Sequence, residues 1–160
     1  MSNHPTSLAK AIAVARIATG VLFLLFGEYK VAGPEFAHTG FSQYLQGYIQ
    51  GAAFACYRPF LAHVVLPHVV FFGYFVGILE LLIGIALVVG LWVRAASVMG
   101  ALFLFNLLFA TWWEPGHGVP VWRYFGAELD KLPLILLFLI FYAADAGAMW
   151  GVDGYWRRPV

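Results

Sequence analysis

Four polar residues stand where the chain is otherwise apolar: Arg16, Glu80, Asn106 and Asp145. A guanidinium and a carboxylate can pair bidentately, and such pairing is the usual remedy for a charge in hydrocarbon. A carboxylate held in a low-dielectric site can also exchange a proton, as reduction of a quinone headgroup requires. Asn106 and Asp145 would add hydrogen bonds. These residues predict a buried polar pocket for a small headgroup, or a proton relay, organised by Arg16 and Glu80. The rival reading is a polar network that fixes helix register and does nothing else.

The elements that would position these groups are helical. Glu80 lies inside the apolar run 67–89, with Gly73, Gly77 and Gly84 on the same helical stripe. Small residues let membrane helices approach closely, so that stripe faces protein, and Gly73 and Gly77 are helix-packing positions. The first apolar run repeats the design, with Arg16, Gly20, Phe23, Gly27 and Lys30 on one stripe. Arg16 is expected roughly 10 Å, and Glu80 roughly 15 Å, from the end of the bundle that carries the chain termini, at 1.5 Å per residue. Those depths allow the two to meet.

The composition requires a membrane. Of 160 residues, 62% are hydrophobic and only 11% charged, against about 25% charged in average soluble domains. Spans of about 20 apolar residues are expected at about 8–27, 67–89, 95–113 and 132–150, with outer loops at 28–66 and 114–131, in a single domain over 1–160. Arg16 interrupts the first apolar run and no small-x-small site follows, so this run reads as a span and not as a removable leader. Phe41, Tyr44, Leu45, Tyr48 and Ile49 have amphipathic helical spacing, with Thr39 as an N-cap candidate. The expected fold is all-α: an integral membrane four-helix bundle with an extra interfacial helix in the first outer loop. Lys10, Arg16, Arg94, Arg157 and Arg158 crowd the span ends on one side, which places both termini in the cytoplasm and the bundle in a bacterial-type inner membrane.

Other chemistry is poorly supported. The net charge of +1 and the lack of a basic run with interleaved aromatics speak against nucleic acid. Cys56 is the single cysteine, and the chain has no CxxC, Walker loop or GxGxxG. His38, His63, His68 and His117 have no second ligand at diagnostic spacing, so no metal is expected. Trp112, Trp113, Trp122, Tyr124, Trp150, Tyr155 and Trp156 fall at span boundaries, as interfacial belts do.

Arg16-x3-Gly20 with Gly27 and Lys30 resembles the opening helix of the DoxX/DoxD-like family of small four-helix membrane proteins. Glu80, Gly84, Leu87, Gly90, Arg94, Ala95 and Ala96 resemble that family's second helix and its turn. The resemblance covers roughly residues 10–31 and 67–113. It implies a four-helix bundle serving redox or thiol-handling enzymes, its best-known member being the small membrane subunit of a thiosulfate:quinone oxidoreductase. Arg16, Lys30, Glu80 and Arg94 carry the family pattern. The longer first loop and the Pro/Gly-rich third loop depart from it and suggest a docking surface.

The expectation is therefore a membrane subunit of a quinone-linked redox complex, at most a non-cofactor subunit of an oxidoreductase. Bound quinone or lipid and redox partners at the outer loops would accompany it. Two rivals stand: an accessory structural subunit of a larger respiratory or photosynthetic assembly, and a small-molecule transporter.

Overall fold

A computed structural model describes residues 6–112 and 130–156, and every regular element among them is helical. Helix α1 (Ser7–Ala32) starts where the Thr6 hydroxyl accepts from the Ala9 N–H, an N-cap that satisfies one orphan donor of the first turn. It ends at Gly33–Pro34, since proline cannot continue a helix. At 26 residues α1 is roughly 39 Å long, so it exceeds a hydrocarbon core of about 30 Å.

The first loop folds into helix almost throughout. Helix α2 (Phe41–Gly47) is flanked by π-helical turns at Phe36–Gly40 and Tyr48–Ala52. Thr39 is not an N-cap: its hydroxyl donates to the Glu35 carbonyl one turn back, inside this helical run. Leu45 is buried, and Phe41, Tyr48 and Ile49 pack with it on Ala53, Leu61, Val65 and Ala110. Tyr44 departs from the expected apolar face and is exposed. A short α3 (Arg58–Phe60) leads through further helical turns into α4 (Val69–Val89). Arg58–Val89 forms one long apolar stretch.

Gly90 ends α4 in the left-handed conformation, with φ 74, a backbone region glycine enters without a Cβ penalty. Helix α5 (Val93–Ala110) follows at once. Helix α6 (Lys131–Ala143) is shorter than the expected span 132–150, because the chain leaves the helix at Ala144 and turns repeatedly before α7 (Val152–Trp156). Of the expected outer loop 114–131 only Asp130 and Lys131 fall among the described residues; Trp113, His117, Trp122 and Tyr124 lie outside them, as do Arg157 and Arg158.

Helix α1 packs along α4, α5 packs against α6, and α4 joins the pairs through α5. Glycine sets the α1–α4 approach: a Cβ on Gly27 would stand 2.8 Å from the Gly77 carbonyl oxygen, and one on Gly84 2.9 Å from the Gly20 carbonyl oxygen. Phe23 joins the pairs, edge-on to Phe103 and Phe138. Leu25, Phe26, Phe71, Leu82, Leu102 and Leu136 are instead exposed. Apolar side chains on the outside and small or polar ones inside is the arrangement of a membrane helical bundle. The helices at Ser7–Ala32, Arg58–Val89 and Val93–Ala110 are long and apolar enough to cross, with α6 as a shorter apolar helix.

Candidate functional site

The buried charges separate into two sites at different depths. The first is an ion pair between Lys30 on α1 and Glu80 on α4, with Nζ donating to Oε1 at 2.5 Å. Glu80 is 5% exposed. Helical side chains tilt toward their own N-terminus. Because α1 and α4 are antiparallel, Lys30 leans back along α1 while Glu80 leans toward the loop end of the bundle, so the two converge. Gly77 lies against Lys30 and Val31, and Gly27 against Gly77 and Leu81, which brings the helices close enough for contact. The Lys30 ammonium also stands over the Phe36 ring, 5.7 Å from its centroid. The second oxygen of Glu80, Oε2, is buried with no hydrogen-bond partner among the described residues.

The second site surrounds Arg16, which is fully buried. Its Nη2 donates to the carbonyls of Met149 and Trp150 at 3.3 and 3.1 Å. Asp153 supplies the opposing charge, although its carboxylate is already engaged, accepting from the Trp92 and Val93 N–H groups at 2.8 and 2.9 Å. That carboxylate caps the first turn of α5, where N–H groups lack helical partners and the helix dipole favours an anion. Trp92, Asp145 and Trp150 all have positive φ, so among the described residues the non-glycine residues in this costly region cluster at one end of the bundle. The chain after α6 thus hooks under the α4–α5 turn, with Arg16 and Asp153 as its fasteners.

The expected Arg16–Glu80 pair does not form. The register Gly20 against Leu87, Gly84 against Leu24 and Gly77 against Lys30 places Arg16 level with Gly90, not Glu80. Their side chains also lean to opposite ends, by the same tilt that joins Glu80 to Lys30. Asn106 is exposed one turn from the end of α5, and its amide donates to the Tyr57 hydroxyl. Burial pushes the Tyr57 phenol above its ordinary pKa, and the Asn106 bond opposes that shift. Asp145 lies in the turn after α6, 3.3 Å from Arg94 Nε, whose guanidinium stands over the Tyr142 ring. Arg16, Glu80, Asn106 and Asp145 therefore do not line one pocket. Sequence reasoning did not find Lys30 as Glu80's partner or Asp153 as a cap. The signal for Lys30 lies in the tilt of side chains on two antiparallel glycine stripes, which the Arg16–Glu80 expectation did not use, while no sequence spacing links Asp153 to Trp92.

His38 sits edge-on to Tyr74, and the His68 ring contacts the Val64 carbonyl. Cys56 is exposed. Among the described residues no three metal-ligating side chains gather.

A membrane helical bundle built on a glycine-packed helix pair with an ion pair in its wall defines the class of protein. The DoxX family model matches residues 11–113, and the chain belongs to that family. The match runs from α1 through α5; α6 and the hook that fastens to Arg16 lie beyond it. No curated protein and no solved structure matches the chain.

Proposed function

We propose that this protein is the membrane subunit of a quinone-linked redox complex, seated in an inner membrane with both termini cytoplasmic. The loop helix α2 would then lie at the outer interface, and the outer loops would dock a partner that holds the redox cofactor. The observation that carries this reading is the Lys30–Glu80 pair with Oε2 unpartnered. A charge in a spanning helix is costly and tends to mark a substrate or proton path.

The residues present fit a quinone headgroup. Lys30 offers an ammonium donor, and Glu80 offers a buried carboxylate oxygen with hydrogen-bonding capacity to spare. When bound, the quinone supplies the two-electron acceptor chemistry. Glu80 holds or passes a proton at Oε2, and Lys30 keeps the carboxylate in place through Oε1. Phe36, over the ammonium, shields the pair from water on that side. Family membership supports the redox setting without specifying the electron donor.

Glu80→Gln keeps the shape and one acceptor for Lys30 but removes the exchangeable proton. Quinone-linked turnover of the native complex should fall at least tenfold while the subunit still co-purifies with its partners. Full turnover in that variant would overturn the reading and leave the pair a packing device in an accessory subunit.

A further inference from the structure

A groove of about 470 Å³ opens between the end of α1 and the π-helical turn that precedes α2. That volume lies in the range of small-molecule sites, about 300–1,000 Å³. Phe36 forms its floor at 8% exposure, while Tyr29 and Tyr44 form its walls at 63% and 57%. The Tyr29 and Tyr44 ring centroids lie 6.1 and 6.5 Å from that of Phe36. Glu35, Thr39 and Gln43 supply the polar lining.

The charges around the groove decide what it can hold. Glu35 is exposed, and its carboxylate makes no hydrogen bond or ion pair among the described residues. Thr39 has already donated its hydroxyl to the Glu35 carbonyl, and its own carbonyl accepts from Ser42. Among the described residues no arginine or lysine lines the groove. Lys30, the cation at the Phe36 ring among the described residues, is neutralised by Glu80. His38 contacts Tyr74 instead. An anion would meet the Glu35 carboxylate with no cation among the described residues to offset it. A bare metal ion would find one carboxylate and aromatic walls, and a neutral apolar ligand would desolvate Glu35 without return. An organic cation suits both the rings and the carboxylate: aromatic faces attract it through their quadrupoles, and Glu35 balances its charge.

We propose that this groove binds an organic ammonium group, held by the Tyr29, Phe36 and Tyr44 rings with Glu35 as counter-charge. Depth indicates where such a group is met. Tyr29 lies in the last turns of α1, near one end of a helix longer than a hydrocarbon core of about 30 Å, within reach of lipid headgroups. A zwitterionic headgroup and a free amine share the recognised chemistry. The site does not depend on the redox reading, and its test uses no electron transfer.

The test is equilibrium binding of radiolabelled choline to the full chain in detergent, with 3,3-dimethylbutan-1-ol as the neutral isostere. Choline should bind and be displaced by tetramethylammonium, with the isostere at least tenfold weaker. Glu35→Gln and Tyr44→Leu should each weaken choline at least fivefold, with thermal unfolding unchanged because both residues are exposed. Native mass spectrometry separates the sources: phosphatidylethanolamine retained over phosphatidylglycerol, and lost in Glu35→Gln, identifies the lipid headgroup. Choline binding without lipid retention identifies a soluble amine. Equal binding of choline and the isostere, or no effect of either substitution, would overturn the proposal.

Discussion

Glu80 has one partner among the described residues, and the consequences of removing it follow from burial. Lys30→Met would leave a carboxylate enclosed by apolar helices with no opposing charge. Breaking a buried pair by removing one member costs about 3–5 kcal/mol, whereas replacing both members together is often close to neutral. The expected outcome is severe destabilisation of Lys30→Met and recovery of most of that loss in Lys30→Met/Glu80→Gln, read by denaturant unfolding in detergent micelles. Equal destabilisation in single and double variants would show that the pair is not an energetic unit. Each charge is visible in the sequence as an intruder in an apolar run. Its partner is not, since the choice between Arg16 and Lys30 depends on which end of its helix each side chain leans toward and on the register of α1 against α4. Asn106 shows the same gap from the other side: its polarity is plain, but its exposed position beside Tyr57 depends on how the first loop folds back.

At the scale of elements, glycine makes the α1–α4 pair possible, and not every glycine matters equally. A Cβ at Gly27 would fall 2.8 Å from both the Gly77 carbonyl oxygen and the Leu81 nitrogen. Those are backbone atoms, which cannot swing aside as a side chain can. Gly27→Val should therefore push the helices apart, part Lys30 from Glu80 and abolish a stable monodisperse fold in detergent. Gly47 makes the opposite case. It sits at the end of α2 with open space within 4 Å of where a Cβ would stand, and its backbone is helical. Gly47→Ala should raise stability by about 0.5–1 kcal/mol, chiefly by restricting the unfolded chain, seen as a higher unfolding midpoint. The spacing of the glycine stripes makes α1 and α4 legible from the sequence. The end of the fourth span is not legible in the same way: hydropathy continues to Trp150, but Asp145 and Trp150 adopt positive φ because the Arg16 and Asp153 hydrogen bonds hold the chain in a hook.

At the scale of the whole molecule, the hook and the α4–α5 turn share one end with the start of α1, while Cys56 lies at the other, between α2 and α3. With the termini cytoplasmic, an impermeant maleimide applied to intact spheroplasts should label the exposed Cys56. A Cys56→Ser chain carrying Leu8→Cys should be labelled only after permeabilisation. The reverse pattern would invert the proposed topology and move the ammonium groove to the cytoplasmic face. The sequence by itself determined that this is a helical membrane protein of the DoxX family with charges inside its spans, because hydropathy, glycine spacing and motif order are local properties of a chain. Only the tertiary structure decided which charges meet. Pairing across antiparallel helices depends on register and side-chain tilt, and the Arg16–Met149 and Trp92–Asp153 contacts join residues 133 and 61 positions apart, a separation that no local pattern encodes.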